Sequence, residues 1–424
     1  MYRVRGLLKS AIKNKTKIYI SLYFIMVILL SRNTMISSTI IGFTESIVLL
    51  AIATIPIFCI FIFRAKKQKI DKKQIIIILP LILIIALSVI VKQDWQMYNF
   101  SILFYIVASL LLASIMNFKY LKKIFINLFF VLAIISLIVT YVLKPIFIDL
   151  NIGTQLKNIG LVITNSSGYN FLNMGLGFAM FRGDYYRNYG IFTEPNFFQF
   201  YLIIAVIMLL FLKEDKMKKI DYIKLGIIIV TIISTFSTAA IITLAIIVFA
   251  KFIQLIVQNR KNKKKLLILI ITCLIICICL ASIEAVRDYI MQAYNKITTS
   301  NDSSVSRFGS LDFTIDKTLQ SPIFGNRISD ILYYENLLTN TTFSMSAVYG
   351  IIPLIYSVYL TYRFARTNKK NSILLTLAVS AIIILAYNSH LYIGVQSFWM
   401  ILLSTVSLLK KEEDKNEKKI VVDS

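Results

Sequence analysis

The sequence predicts an all-α polytopic membrane protein with about twelve transmembrane helices. Of the 424 residues, 58% are hydrophobic, and the mean hydropathy is +0.76. Apolar runs that can cross about 30 Å of hydrocarbon recur along the whole chain. The formal net charge of +25 is carried by short basic clusters between those runs. Such clusters are typical of membrane-orientation signals and not of a nucleic-acid-binding surface.

We expect the helices in the apolar segments 18–31, 39–63, 74–92, 98–116, 124–143, 196–212, 221–236, 238–257, 265–282, 344–362, 372–390 and 396–409. An even number of spans with every inner loop basic places the N- and C-termini in the cytoplasm. The basic N-terminal stretch resembles the start of a signal peptide. No small-residue cleavage site follows it, so we expect a retained first helix. Residues 1–409 would form a single transmembrane domain, with a disordered, charged tail over 410–424.

Two extracytoplasmic loops are long, residues 144–195 and 283–343, and long loops in compact proteins are usually functional. The first loop holds half of the chain's 14 glycines. Its segment Phe171–Phe181 is too short to span, so we expect it to lie in the interface or to re-enter the membrane. The second loop is polar, and a short helix is expected around Asp312–Leu319. The active side of the protein would therefore be the outer one.

The end of the first long loop, Arg182–Asn196, reads RGDYYRNYGIFTEPN and opens directly into an apolar helix. Pro195 suits the first helical turn, and Thr193 or Glu194 is then the N-cap. The positive end of the helix dipole and the neighbouring arginines together favour an anion such as phosphate. The alternative is an interfacial loop whose arginines and tyrosines anchor the helix among lipid headgroups.

Other candidate residues lie on the same predicted outer side. Its arginines are Arg32, Arg182, Arg187, Arg287, Arg307 and Arg327. The only histidine, His390, lies at the outer end of the eleventh predicted helix, where it is either a near-neutral base or a structural residue. The four cysteines lie in apolar runs without accompanying histidines or carboxylates, so no metal is expected. Nucleotide-binding and dinucleotide-binding motifs are absent from the sequence, so no cofactor is expected.

The pattern R-x-x-G-I-F-x-E-P-N at Arg187–Asn196 resembles the O-antigen and capsular polysaccharide polymerases, which share an architecture with the O-antigen ligases. The resemblance continues through the small-residue break STFSTAA, through SRFGS with Arg307, and through SPIFGNR with Arg327, and it covers roughly residues 185–362. SPIFGNR carries Asn326 where a second glycine is common in that family. The histidine that ligases have before the tenth helix is replaced by NLLTNTTFSMS, which favours a polymerase over a ligase.

The resemblance implies a membrane glycosyltransferase of O-antigen, capsule or exopolysaccharide assembly in the bacterial cytoplasmic (inner) membrane. Its substrate would be an oligosaccharide on undecaprenyl pyrophosphate, and its partners would be membrane lipids and a chain-length regulator, without nucleic acid. Arg187 and Arg307 would stabilise the departing pyrophosphate, and Glu194 or His390 would be the base. Substrate-binding residues would be Arg182, Arg327, Asn196 and Tyr189.

A lipid-linked oligosaccharide flippase or another transporter is the main rival, because such proteins also have about twelve helices and cytoplasmic termini. Transporters are usually built from repeated halves with binding groups at the bilayer midplane. This sequence has no evident half-repeat and few charged residues at the predicted midplane, and its polar residues are concentrated in the predicted outer loops. The sequence therefore favours an enzyme.

Overall fold

The structure is a computed structural model that describes residues 2–31, 33–34, 36–66, 68–143, 162–164, 170–172, 179–182, 185–258, 302–332, 340–388 and 391–409. Residues 265–282, His390 and the tail from residue 410 lie outside the described residues, and so does the predicted helix over that first range.

Helices make up most of the described chain. In the first half they are α1 (Tyr2–Leu29), α2 (Phe43–Ala65), α3 (Lys72–Lys92), α4 (Met97–Ile115) and α5 (Phe118–Ile138), and π-helical turns cover Ile36–Ile41 and Val139–Leu143. In the second half they are α6 (Pro195–Leu210), α7 (Lys219–Ser234), α8 (Thr238–Gln258), α9 (Asp302–Gln320), α10 (Ile328–Leu332), α11 (Thr341–Tyr349), α12 (Ile351–Ala365), α13 (Ile373–Tyr387) and α14 (Gln396–Leu403).

Among the described residues, five helical stretches are long and apolar enough to cross a membrane: Phe43–Ala65, Lys72–Lys92, Met97–Ile115, Phe118–Val142 and Thr238–Ile256. Their lengths of 19 to 25 residues match the roughly 20 residues that a bilayer requires. Helices α6, α12 and α13 are apolar but shorter. The protein is therefore a helical membrane protein, while the number of spans stays a prediction.

The helix ends gather at two opposite ends of the bundle. At the basic end, which holds the connections 66–71, 116–117, 211–218 and 366–372, side chains cap neighbouring helices. Leu408 N donates to Ser114 Oγ at 2.8 Å, and Asn368 Nδ2 donates to Phe211 O at 2.9 Å. The described basic connections thus share one end of the bundle. Which end faces the cytoplasm stays a prediction.

The opposite end, called the motif end here, carries the Arg187–Asn196 segment. Thr193 N donates to Asn33 O at 2.9 Å, which ties this segment to the connection between α1 and α2. A four-stranded antiparallel sheet precedes it, with strands β1 (Val162–Thr164), β2 (Asn170–Leu172), β3 (Ala179–Arg182) and β4 (Tyr185–Asn188) in that order. The register pairs Met180 with Arg187. The structure is consistent with the all-α prediction apart from this small sheet, and both ends of Phe171–Phe181 lie in strands.

The predicted helix 344–362 is wrong as a single helix, because Gly350 divides it into α11 and α12. Gly350 has φ 88° and ψ 175°, a conformation that almost only glycine adopts. By contrast, the predicted short helix around Asp312–Leu319 is confirmed and extends over the whole of α9.

Candidate functional site

The Arg187–Asn196 segment forms a compact turn whose apolar residues are buried in the bundle. Tyr189, Ile191 and Phe192 each have 0% of their surface exposed. The Phe192 ring stacks on Tyr201 of α6 with a centroid distance of 5.0 Å. Such burial holds the turn in place, so the polar residues that flank it have defined positions.

Arg187 is oriented by the end of α7. Its Nε donates to the carbonyl oxygen of Thr235 at 3.2 Å, and Thr235 is the C-cap residue of α7. A cation is favourable at a helix C-terminus because the last carbonyls carry the negative end of the dipole. The side chain is half-buried. A guanidinium has five N–H donors in a fixed plane, so one bond through Nε sets the direction of the whole group.

Asn188, the next residue in β4, holds the backbone beside Arg187 in place through buried hydrogen bonds. It has 0% of its surface exposed, and its Nδ2 donates to Ser136 Oγ at 3.0 Å and to Ser234 Oγ at 3.1 Å. Its Oδ1 accepts a bond from Gly190 N at 3.0 Å. Asn188 therefore joins α5, α7 and the turn in one hydrogen-bonded unit. Asn188 was not among the predicted site residues, although it stands next to Arg187.

The N-terminus of α6 follows directly. Pro195 occupies the first turn, as the sequence predicts, and Glu194 is the N-cap residue of the two that the sequence offered. The Glu194 side chain makes no capping bond to the helix and is exposed. Asn196 Oδ1 accepts a bond from Ser237 Oγ at 2.9 Å, and Asn196 O accepts one from Tyr392 OH at 2.9 Å. The motif therefore contacts the segment that follows His390.

A second polar cluster surrounds the SPIFGNR loop at the end of α3. Arg327 Nε donates to Lys92 O at 3.0 Å, and Lys92 Nζ donates to Asn326 O at 2.9 Å and to Val348 O at 2.6 Å. The carboxylate of Asp94, which is 4% exposed, accepts a bond from Ile328 N at 2.6 Å. Neither Lys92 nor Asp94 was among the predicted site residues. The sequence feature that could have identified them is a pair of charged residues at the end of an apolar helix.

The structure thus brings only some of the predicted site residues together. Arg187, Tyr189, Glu194 and Asn196 lie in one turn, with Tyr189 in the core, where it packs against other residues of the protein. Arg327 binds a different helix end. Arg182 lies in β3 and Arg307 in α9, and for both only the position of the backbone is described. His390 lies outside the described residues.

The apolar helices define the class of protein, a helical membrane protein. Within the described part of the chain, no group of three or more His, Cys, Asp or Glu residues is placed to hold a metal ion. Comparison with models of known protein families, with curated proteins and with solved structures found no match.

Proposed function

We propose that the protein is an oligosaccharide repeat-unit polymerase. It would transfer a glycan from a lipid pyrophosphate carrier to another lipid-linked repeat unit at the outer face of the bacterial cytoplasmic membrane. The observation that carries the proposal is the fixed orientation of Arg187, within the segment whose sequence resembles that enzyme class. A guanidinium that is oriented before substrate binds loses little freedom on forming a bidentate contact with phosphate.

The reaction needs cations more than it needs an acid. The acceptor hydroxyl oxygen bonds to the anomeric carbon while the bond from that carbon to the pyrophosphate oxygen breaks, and the bonding electrons leave with the pyrophosphate. Arg187 would stabilise the charge that develops there, as oriented donors do in other active sites. The first turn of α6 begins beside it and directs backbone N–H groups toward the same end of the bundle. Arg307 would add a second cation.

The proton of the acceptor hydroxyl must pass to a base. Glu194 is exposed at the start of α6, in the same turn as Arg187. His390 precedes the segment whose Tyr392 binds Asn196. Both residues are therefore retained as candidates for the base. A flippase, the rival function, would need neither of them for chemistry.

Substitution of Arg187 tests the proposal in a strain that lacks the chromosomal gene and carries plasmid-encoded variants. Arg187→Ala should leave single repeat units on the surface glycan instead of long chains, with a loss on the order of 10²–10³ in rate. Arg187→Lys is the sharper variant. Lysine can still donate to the Thr235 carbonyl, but it offers a point charge in place of a planar fork. We expect shortened chains.

Arg363 provides a matched control, because its guanidinium also donates to a backbone carbonyl. The acceptor is Thr405 O at 3.1 Å, at the basic end of the bundle. Arg363→Lys should keep long chains, since only a structural contact is altered. Protein abundance in the membrane is measured for every variant. A normal ladder of chain lengths from Arg187→Ala at wild-type abundance would refute the proposal. Loss of all exported units, without single repeats, would favour a flippase.

A further inference from the structure

Helix α9 buries hydroxyl side chains on its inward face and exposes large aliphatic side chains on part of its outward face. Its inward face carries hydroxyls: Ser310 and Thr314 each have 0% of their surface exposed. One turn further on, the hydroxyl of Thr318 is 2.8 Å from that of Ser346 in α11. A helix in water buries its apolar residues and exposes hydroxyls, so this arrangement indicates a different surrounding on the outer side.

The outward half of α9 is divided lengthwise. One row is apolar, with Ile315 36% and Leu319 72% exposed, and it continues into Ile323 of the following turn, which is 55% exposed. We call these three residues the apolar stripe. Asp312 and Asp316 form the adjacent row and are exposed as well. Residues four apart on a helix lie nearly above one another, so each row is continuous along the axis.

The apolar stripe continues into surfaces of neighbouring apolar helices. Ile351 N donates to Pro322 O at 2.9 Å, next to Ile323, and the side chain of Ile351 is 45% exposed. On the other side, Ser88 Oγ of α3 donates to Phe324 O at 2.5 Å. Helix α3 is long and apolar enough to cross a membrane. Ser88 lies four residues before its last residue, which is roughly 6 Å along the helix axis.

We propose that the apolar stripe contacts the acyl chains of the bilayer at the motif end, while Asp312 and Asp316 face water. Helix α9 is then an interfacial element and not part of a soluble loop. The three faces each meet a suitable partner: hydroxyls meet α11, aliphatic side chains meet lipid, and carboxylates meet solvent. The proposal is independent of the proposed function.

Site-directed spin labelling of the full-length protein in liposomes tests this surface. Nitroxides are attached to Ile315→Cys, Leu319→Cys, Asp312→Cys and Asp316→Cys in a protein whose four native cysteines are replaced by serine. We expect collisions with oxygen to exceed collisions with a water-soluble nickel complex at 315 and 319, and the order to reverse at 312 and 316. Preference for the nickel complex at all four positions would overturn the proposal, and so would low access of both reagents at 315 and 319, because a protein partner would then cover the stripe.

A second variant tests the same surface with the native cysteines retained. Leu319→Trp and its neighbour Gln320→Trp are compared in liposomes that contain phospholipids brominated on their acyl chains. The protein has two native tryptophans, whose signal is subtracted. The tryptophan at 319 should be quenched at least about twofold more than that at 320, since position 320 continues the acidic row. Equal quenching at the two positions would refute lipid contact.

Discussion

A methyl group added at Gly350 or Gly325 would meet backbone atoms that have no room to move. The two glycines lie on opposite sides of one backbone contact, since Gly350 faces the carbonyl of Ile323 and Gly325 faces the carbonyl of Val348. A Cβ at Gly350 would lie 2.9 Å from Pro322 O, and one at Gly325 would lie 2.6 Å from Tyr349 N. The φ angles are +88° and +69°, in the region that favours glycine.

The cost of Gly350→Ala has two parts. Forcing alanine into this backbone conformation costs about 1–3 kcal/mol, and moving the overlapped backbone costs about 1–3 kcal/mol more. We therefore expect a loss of about 2–6 kcal/mol in the free energy of unfolding, and a loss in the same range for Gly325→Ala, whose φ also lies in the region that favours glycine. The double variant should lose less than the sum, since both changes open the same contact.

The free energy of unfolding is measured by titrating the purified protein from detergent micelles into sodium dodecyl sulfate, with circular dichroism as the signal. Gly309→Ala is the matched control, because Gly309 lies in α9 with no atom within 4 Å of an added Cβ. This variant should gain about 0.5–1 kcal/mol, since alanine favours a helix over glycine. If Gly350→Ala unfolded at the same denaturant fraction as wild type, the close contact between the SPIFGNR loop and the α11–α12 junction would be wrong.

Two further predictions concern the motif and the topology. Asn188→Ala should lower the free energy of unfolding by about 2–5 kcal/mol, because the buried Gly190 N–H loses its acceptor and two donated bonds are lost. The same denaturant titration measures this loss, and wild-type stability of the variant would contradict the assigned bonds. Cysteines introduced at Ser167 and Ser304 should react with an impermeant thiol reagent in whole cells, whereas one at Lys264 should not, and the reverse pattern would invert the predicted orientation.

The positions of most described helices follow from hydropathy. The sequence predicts a helix over 238–257, and α8 covers Thr238–Gln258. It also places Pro195 in the first turn of α6, because proline lacks the N–H that a first turn leaves unpaired. These features depend on local residue types alone, so they can be predicted without knowledge of the tertiary structure.

The division at Gly350 could not be predicted in this way. The apolar run continues through it, and the unusual backbone arises because the SPIFGNR loop packs there. The partner of Arg187 is similarly non-local, since Thr235 is 48 residues away in sequence. Hydropathy indicates which residues enter the membrane and which do not. It contains no information on which helix end an arginine will meet.

Two of the predicted substrate-contacting arginines, Arg187 and Arg327, meet different helix ends in the structure. Both side chains use Nε to bind a carbonyl, but Arg327 is followed by Ile328, whose N–H binds the buried carboxylate of Asp94. Lys92, whose carbonyl accepts the Arg327 bond, itself donates through Nζ to Asn326 O and Val348 O, so the charged groups around Arg327 bind the backbone of the SPIFGNR loop and its neighbours. Arg187 instead lies in the same turn as the exposed Glu194 and the start of α6. Arg327 thus links the SPIFGNR loop to α3, and its contact with substrate stays a prediction. Arg327→Lys should keep long glycan chains, because lysine can still donate to the Lys92 carbonyl, whereas Arg187→Lys should shorten them. Equal shortening in both variants, at equal protein abundance, would show that Arg327 also contacts substrate.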